Sequence, residues 1–241
     1  MLFGKQKKRL PRISAVIVAA GSASRMHGID KQAVLLGEMP VVIRSLVVFE
    51  QCELVDELIM VCREEDIANY YTLIQDFGLS KVKQIVAGGR ERQDSVFRGI
   101  AVCSPDAEFF AIHDGARPLV TPEIITECIE AAILHGAAAA GVPVKDTIKQ
   151  VRGDNSIVST PNRAGLVAIQ TPQIFAAQLY RDAMAPTVRQ GKYYTDDCQL
   201  IEQSGHHVFV SRGSYSNIKI TTPEDLAIAQ AILDYSEGES I

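Results

Sequence analysis

Short apolar runs alternate with longer amphipathic segments along most of the chain. The apolar runs are rich in β-branched residues, and they predict strands at 13–19, 57–62, 81–86, 108–113 and 137–144. Between them, apolar positions recur with helical spacing, which predicts helices at about 40–51, 64–76, 92–103 and 122–135. Strands that alternate with helices are typical of a doubly wound, mostly parallel α/β sheet.

The pattern changes after residue 144. Polar and apolar residues alternate on both sides of a turn cluster at 152–156, which predicts a β-hairpin arm over about 145–164. Because an isolated hairpin is marginal in water, we expect this arm to pack on a second subunit in a homodimer. The chain then returns through a helix at about 176–190 and a strand at 207–211, and a closing helix begins at Pro223 after Thr222 as N-cap.

We therefore expect one domain over residues 13–236, which includes the hairpin arm, between a flexible basic N-terminal arm (1–12) and a C-terminal tail (237–241). The hydrophobic content of 47% is ordinary for a soluble protein, and no apolar run approaches the roughly 18 residues of a membrane helix. The net charge of −5 argues against general nucleic-acid binding. The N-terminal segment lacks the continuous apolar stretch of a secretory signal.

Cysteine and histidine usage gives little sign of metal binding or thiol catalysis. The five cysteines are scattered without a C-x-x-C pair, which predicts a reducing, cytoplasmic environment. Cys198 follows a Thr-Asp-Asp sequence and is a candidate nucleophile, but a buried thiol is the favoured interpretation because no histidine lies nearby in sequence. His206 and His207 are adjacent, and on a strand they would point to opposite faces and could not share a metal.

Ligands of open α/β sheets bind beyond the carboxyl ends of the strands, so the loops there are the candidate site. The first loop, "AAGSASRM", places Ala19, Ala20 and Gly21 where a ligand can reach backbone N–H groups, followed by the cations Arg25 and Lys31. It is neither a Walker loop nor a dinucleotide glycine fingerprint. The pattern indicates an anionic ligand such as a phosphate, and the alternative is an ordinary tight turn with solvated cations.

Two later loops carry further candidate chemistry. In "AGGRERQDS" (87–95) the glycines can admit a base edge to the backbone and Ser95 offers a hydroxyl; the alternative is a glycine turn with acidic residues that complement the helix dipole. In "HDGARP" (113–118) Asp114 ends a strand and Arg117 follows, so the carboxylate could bind a hydroxyl or a metal. A structural Asp–Arg pair is the alternative there.

Together these motifs resemble a known family. The sequences "AVIVAAGSASRM", "KQ" at 31–32, "GGRERQDSV", "HDGARP", "PVKDTIK", "QTPQIF", "TDD" at 195–197 and "NIKITTPEDL" are similar, in order and spacing, to those of the 2-C-methyl-D-erythritol 4-phosphate cytidylyltransferases of the non-mevalonate isoprenoid pathway. The resemblance covers roughly residues 13–236. It implies a Rossmann-like nucleotidyltransferase fold, a homodimer, and transfer of a cytidylyl group from CTP to a sugar-alcohol phosphate with Mg²⁺ and release of pyrophosphate.

The resemblance also implies roles for matching positions. The catalytic cations would be Arg25, Lys31, Arg163 and Lys219. The nucleotide would be lined by Ala19, Ala20, Gly21, Gly89, Arg90 and Ser95. The methylerythritol phosphate would face Asp114, Arg117, Thr171, Thr195 and Lys219. Thr147 and Arg163, on the arm, would reach into the site of the partner subunit. Mg²⁺ would be held mainly by the nucleotide phosphates. Ala23 stands where the family's loop commonly has a second glycine, and it retains a free N–H.

The implied chemistry fits a site without a general base. A phosphate monoester is largely dianionic at pH 7 because its second pKa is near 6, so the protein has mainly to neutralise and align two polyanions. The alternatives are a ribitol 5-phosphate cytidylyltransferase, which resembles this chain in most motifs, and a non-catalytic nucleotide-binding module. A nicotinamide-dependent oxidoreductase would have the same α/β pattern, but this chain lacks the glycine fingerprint of that class.

Overall fold

The computed structural model describes residues 9–21 and 34–238, with side chains to residue 236. In chain order the elements of the described residues are β1 (Ile13–Val18), β2 (Leu35–Leu36), β3 (Met39–Pro40), α1 (Val41–Gln51), β4 (Glu57–Cys62), α2 (Ile67–Asp76), β5 (Val82–Ala87), α3 (Arg92–Ala101), β6 (Phe109–Asp114), α4 (Pro122–His135), β7 (Ala137–Pro143), β8 (Gln150–Val151), β9 (Ile157–Ser159), β10 (Val167–Ala176), α5 (Ala177–Gln190), α6 (Asp197–Gln203), β11 (Phe209–Arg212) and α7 (Pro223–Gly238). Single 3₁₀ turns lie at Glu64–Asp66 and Arg163–Gly165.

The main sheet of the described residues has seven strands in the order β11-β7-β10-β6-β1-β4-β5. All neighbouring pairs are parallel except those of β10, which runs antiparallel to β6 and β7. The predicted mostly parallel α/β sheet is thereby confirmed. β10 carries the "QTPQ" motif into the middle of the sheet, beside the strand that ends at Asp114.

β1 shows why the sheet is covered on both faces. All its residues are buried, and alternate side chains point to opposite faces. Ile13, Ala15 and Ile17 share a core with α1 and α4, whereas Val16 and Val18 share another with α3 and α5. A strand buried on both faces is a continuous apolar run, which is the pattern seen in the sequence.

The helix boundaries follow ordinary capping chemistry. α4 begins after Thr121, whose hydroxyl accepts a hydrogen bond from the N–H of Ile124, and ends at Gly136 with φ of 86°. The predicted N-cap of α7 is also confirmed, since the hydroxyl of Thr222 accepts from the N–H of Asp225 at 3.4 Å. These caps satisfy N–H groups that have no partner within their own helix.

The predicted hairpin is present as β8 and β9, which pair with each other in a separate two-stranded sheet. Its apolar side chains are exposed: Val151 by 54%, Ile157 by 60% and Val158 by 47%. The strand predicted at 207–211 is displaced, because β11 begins at Phe209. His206 and His207 therefore lie in the exposed loop before it rather than on a strand.

The cysteines are all free and buried, as their preference for interiors predicts. Burial and the neighbouring acidic groups raise the pKa of the Cys198 thiol far above its usual value, which disfavours the thiolate that a nucleophile requires. The interpretation of Cys198 as a buried thiol is confirmed. Among the described residues, no helix combines the length and the apolarity needed to cross a membrane.

Candidate active site

The three candidate loops begin at one edge of the sheet, where β1, β5 and β6 reach their carboxyl ends. Backbone hydrogen bonds fix each loop to a neighbouring strand: Ala19 N–H donates to Val61 C=O at 2.7 Å, and Gly115 N–H donates to Val18 C=O at 2.9 Å. Gly88 N–H donates to the C=O of Cys62 in the same way, at 2.8 Å. Local sequence therefore sets the strands, and the parallel arrangement brings the loops together.

The first two loops are in close contact. A Cβ atom on Gly88 would lie 2.2 Å from the Cβ of Ala20, so only glycine fits where the loops meet. Ser95 is buried; its hydroxyl accepts from Gly89 N–H at 3.0 Å and donates to Glu91 C=O at 3.2 Å. The hydroxyl of Ser95 thus supports the shape of this loop.

The other predicted nucleotide residues differ in exposure. Ala19 is buried, Ala20 is half-buried, and Gly21 and Arg90 are exposed. The expectation that a ligand reaches the N–H of Ala19 is wrong, because this N–H already donates to Val61 C=O in the sheet. The two predicted cations Arg25 and Lys31 lie outside the described residues.

At the end of β6 the structure brings together four residues predicted to face the acceptor. Lys219 Nζ lies 2.7 Å from Asp114 Oδ2, and Asp114 N–H donates to Thr171 Oγ1 at 3.1 Å. Arg117 donates through Nη1 to the C=O of Asn217 at 2.7 Å, and its buried Nε has no hydrogen-bond partner among the described residues. A buried donor without a partner is costly, and a ligand oxygen could satisfy it.

The segment that carries Lys219 is anchored through buried Asn217. Its Nδ2 donates to Thr171 C=O at 3.0 Å and to Gln170 Oε1 at 3.2 Å. Lys219 is therefore positioned by β10, although more than 40 residues separate them in sequence. This explains how the "QTPQ" and "NIKI" motifs form one site.

Opposite charges surround the buried carboxylate of Asp114. Burial alone would raise its pKa, but the charges of Arg92 and Lys219, and of nearby Arg117, outweigh that effect and hold the pKa well below its ordinary value. Asp114 is thus ionised at neutral pH. It can accept a hydrogen bond from a hydroxyl of a ligand at this edge of the sheet.

The remaining predicted residues lie farther out. Thr195 is exposed, and its N–H and hydroxyl both donate to Gln199 Oε1, at 2.9 and 3.1 Å. Thr147 and Arg163 are exposed on the hairpin arm, where Arg163 Nη1 donates to Lys145 C=O at 2.5 Å. Within residues 9–21 and 34–236, neither of the arm residues has a hydrogen bond or ion pair to Asp114 or Lys219.

Two charged residues of the cluster were not predicted from sequence. Arg92 donates from Nε to Asp114 Oδ1 at 2.9 Å and from Nη1 to Asp197 Oδ2 at 2.7 Å. Asp197 belongs to the "TDD" motif, of which only Thr195 was assigned a role. The available signal was an arginine in the first turn of a helix that follows a carboxyl-edge loop, but its partners are 22 and 105 residues away.

His113 is fully buried beneath the cluster, 4.9 Å from the ring of Phe49. Its Nε2 lies 3.2 Å from Arg117 C=O and its Nδ1 lies 3.1 Å from Thr171 Oγ1. Burial lowers the pKa of His113 to about 3, so the ring is neutral, with Nε2–H donating to the carbonyl and Nδ1 accepting from the hydroxyl. The histidine of "HDGARP" is thus a support for Thr171 and Arg117.

We expect His113 to make folding sensitive to mild acid. In the unfolded chain His113 binds a proton near pH 6.5, whereas in the folded chain it does so only near pH 3. The contribution of neutral His113 to stability is therefore fully present above pH 6.5 and is lost as the pH falls toward 3. Between pH 7 and 5 the loss should be about 2 kcal/mol in the free energy of unfolding. Urea titrations at both pH values measure it.

The matched variants are His113→Gln and, as a control, His206→Gln at an exposed position. The His113 variant should be less stable at pH 7 but should lose about 2 kcal/mol less on going to pH 5. The control should keep the wild-type difference. Equal pH dependence in all three proteins would contradict a buried neutral His113.

The described residues do not offer a protein cage for a metal ion. Within them, no three His, Cys, Asp or Glu side chains are grouped so as to hold one. Both oxygens of Asp114 are occupied by cationic partners, Arg92 and Lys219.

Comparison with known proteins gives matches to one and the same enzyme family. The family model described as 2-C-methyl-D-erythritol 4-phosphate cytidylyltransferase matches residues 13–235. A curated protein of that name from Caldanaerobacter subterraneus subsp. tengcongensis is 47% identical over 223 residues, which cover 92% of this chain and 98% of that protein. One from Dehalococcoides mccartyi is 44% identical, over 92% of this chain and 96% of that protein.

Solved structures agree with these sequence matches. The 4-diphosphocytidyl-2C-methyl-D-erythritol synthase of Anaerococcus prevotii superposes with a TM-score of 0.84 at 32% identity, covering 93% of this chain and 96% of that chain. The 2-C-methyl-D-erythritol 4-phosphate cytidylyltransferase of Thermus thermophilus gives a TM-score of 0.76 at 28% identity, covering 92% of this chain and 98% of that chain.

Proposed function

Because the chain belongs to the 2-C-methyl-D-erythritol 4-phosphate cytidylyltransferase family, we propose that the cluster around Asp114 is its acceptor site. The protein is a CTP-dependent nucleotidyltransferase of isoprenoid biosynthesis. It transfers the cytidylyl group of CTP to 2-C-methyl-D-erythritol 4-phosphate, giving 4-diphosphocytidyl-2-C-methyl-D-erythritol and pyrophosphate. The observation that carries the site is the ionised Asp114 beside Lys219, Arg117 and Thr171 at the carboxyl edge.

The reaction joins two anionic groups. An oxygen of the acceptor's phosphate attacks the α-phosphorus of CTP, a new P–O bond forms, and the bond to the β-phosphate breaks with its electron pair leaving on pyrophosphate. The attacking phosphate carries no proton that must be removed at pH 7, so no general base is required. In this site His113 is neutral, buried and occupied on both nitrogens, which supports a mechanism without it.

The acceptor's two chemical ends require different partners. We assign Lys219, and Arg163 from the partner subunit's arm, to the phosphate, where cations offset the charge that builds up during attack. Asp114 accepts from a hydroxyl of the methylerythritol chain. Arg117, Thr171 and Thr195 complete the acceptor pocket.

On the nucleotide side the small residues are the useful ones. Ala20 and Gly21 allow the phosphates to approach backbone N–H groups beside buried Ala19, whose own N–H is bound to Val61 C=O, and Gly89, Arg90 and Ser95 shape the wall for the base. Arg25 and Lys31 would supply the cations for the triphosphate: the planar fork of arginine bridges two oxygens, whereas lysine acts as a point charge.

Mg²⁺ is the cofactor we propose, held by the nucleotide phosphates and water rather than by a protein cage. When bound, it supplies charge neutralisation to those phosphates. The occupied oxygens of Asp114 support this assignment. The buried free thiols support a reducing compartment, and we propose the cytoplasm as the location.

We propose a homodimer through the hairpin arm at 145–164, supported by the exposed side chains of Val151, Ile157 and Val158. Ile157→Glu should shift the protein from dimer to monomer in sedimentation velocity and lower turnover at dilute enzyme, because a charge is buried at the interface. Leu134→Glu is the control: this residue is 75% exposed on α4, outside the arm. Unchanged sedimentation of the Ile157 variant would contradict the arm as the dimer contact.

Pyrophosphate release with CTP and Mg²⁺ tests the acceptor. Methylerythritol 4-phosphate, ribitol 5-phosphate and no acceptor are compared at matched concentrations. We expect release with methylerythritol 4-phosphate alone. Preference for ribitol 5-phosphate would support cytidylyl transfer but would place the enzyme in a different pathway. Bound CTP without release in any arm would indicate a nucleotide-binding module.

A further inference from the structure

Four charged side chains form a chain that leads from a buried carboxylate to a partly exposed ammonium group at the carboxyl edge of the sheet. Asp197, Arg92, Asp114 and Lys219 alternate in sign, with contacts of 2.7, 2.9 and 2.7 Å between successive members. The side chain of Asp197 is 3% exposed and that of Lys219, at the other end, is 37% exposed. Only the last two were predicted as site members, so the function of the inner pair is unassigned.

The inner end of this chain is rigidly held. Tyr180, which is fully buried, donates from its hydroxyl to Asp197 Oδ1 at 2.6 Å. The N–H of Asp197 donates to Gln173 Oε1 at 3.1 Å. Burial, together with the charge of Asp197, raises the pKa of Tyr180, so its hydroxyl keeps the proton that it donates. Asp197 therefore presents its other oxygen to Arg92 in one orientation.

Charge balance explains what the inner pair contributes. Lys219 is bound to Asp114, yet the proposed function requires it to bind the acceptor's phosphate. A lysine that leaves Asp114 would strand a buried carboxylate, which is strongly unfavourable without a second cation. Arg92 is that second cation, and its own charge is balanced by Asp197.

We propose that Arg92 and Asp197 are positioning residues for acceptor binding: they hold Asp114 in place and let Lys219 transfer from Asp114 to the acceptor's phosphate. This inference rests on the proposed function of the site. Arg92 suits the role because one guanidinium contacts both carboxylates, through Nε and Nη1. A lysine has a single nitrogen, so it would not reproduce both contacts at once.

The test compares steady-state constants for both substrates in three variants. Arg92→Lys keeps the charge but loses the bridge, and Asp197→Asn places an amide donor against the donor of Arg92 while its oxygen still accepts from Tyr180. Tyr180→Phe removes only the hydroxyl behind Asp197 and keeps the ring packing, so it carries the test where a charge variant does not fold.

The control is Glu57→Gln, another buried carboxylate that becomes an amide. Glu57 accepts from Ser14 Oγ and from Ser104 N–H, and it lies 6% exposed at the opposite edge of the sheet. In the strand register Glu57 lies beside Ser14 of β1, and Asp114 lies beside Val18. The two carboxylates are therefore offset by four residues, or about 13 Å, along the direction of β1. Glu57→Gln therefore reports the cost of losing a buried carboxylate without touching the site.

We expect KM for methylerythritol 4-phosphate to rise on the order of 10- to 100-fold in the charge variants and less in Tyr180→Phe. KM for CTP should stay within about twofold, as should both constants of Glu57→Gln. Combining Arg92→Lys with Asp114→Asn should give less than the product of the two single effects, because Arg92 acts through Asp114.

The outcomes separate the two levels of the argument. An active wild type whose variants keep the acceptor KM, or raise the KM for CTP equally, overturns the positioning role alone. Multiplicative effects in the double variant overturn it too, because they would mean that Arg92 acts independently of Asp114. Wild-type enzyme that releases no pyrophosphate with either acceptor overturns the proposed function and, with it, this inference.

Discussion

Replacing Lys219 with methionine is expected to lower kcat/KM for methylerythritol 4-phosphate by about 10²- to 10³-fold, which is the usual cost of removing one preorganised donor. Methionine keeps most of the aliphatic stem and removes the ammonium group. Asp114 retains its contact with Arg92 at 2.9 Å, so the carboxylate is not left alone and the fold should persist. Steady-state pyrophosphate release with each substrate varied in turn measures the effect.

A matched control distinguishes loss of the site from loss of a surface charge. Lys83→Met removes an ammonium group from an exposed position on β5 that contacts Ser80 C=O at 2.8 Å, and it should leave both kinetic constants unchanged. The melting temperature of the Lys219 variant should lie close to that of the wild type. A loss smaller than about tenfold in kcat/KM would exclude Lys219 from the phosphate site.

Arg25→Ala is expected to reduce kcat by a similar factor of about 10² to 10³. The reason is chemical: negative charge develops on the α-phosphate and on departing pyrophosphate, and the guanidinium can donate to two oxygens at once. Arg25→Lys keeps the charge but not the planar guanidinium, so its kcat should lie between those of the wild type and Arg25→Ala. Single-turnover measurement, with enzyme in excess over methylerythritol 4-phosphate and with saturating CTP, separates the chemical step from nucleotide binding.

Arg9→Ala is the control for Arg25. Arg9 is 79% exposed and pairs with Glu108, which precedes β6 at the amino edge of the sheet, opposite the site. Exposed ion pairs contribute little, so this variant should keep wild-type activity and stability. Full turnover by Arg25→Ala would remove Arg25 from the catalytic residues.

The sequence alone was sufficient for most of the secondary structure. The runs at β1 and β4 are apolar on nearly every position because both faces of those strands are buried, and burial of that kind is visible in composition. Helix starts such as Thr222 are likewise encoded by the residues next to them. The carboxyl-edge loops followed from the strand order, since a parallel sheet directs its ligand-binding loops to one side.

The first loop by itself indicated an anionic ligand, and the resemblance of all the motifs to the cytidylyltransferase family implied the reaction. They did not indicate which cations touch which carboxylates. Arg92 looked like one charged residue among several on a helix, and its contacts with Asp114 and Asp197 form only when α3, β6 and α6 are in place.

What the sequence by itself determined is therefore the α/β architecture, through local periodicity, and the reaction class, through the resemblance of its motifs to a known family. The tertiary structure decided the antiparallel placement of β10, the neutral support from His113, and the alternating chain from Asp197 to Lys219. The physical reason is range: burial patterns are written along each element, whereas an ion pair depends on two side chains that only the packed fold brings within about 3 Å of each other.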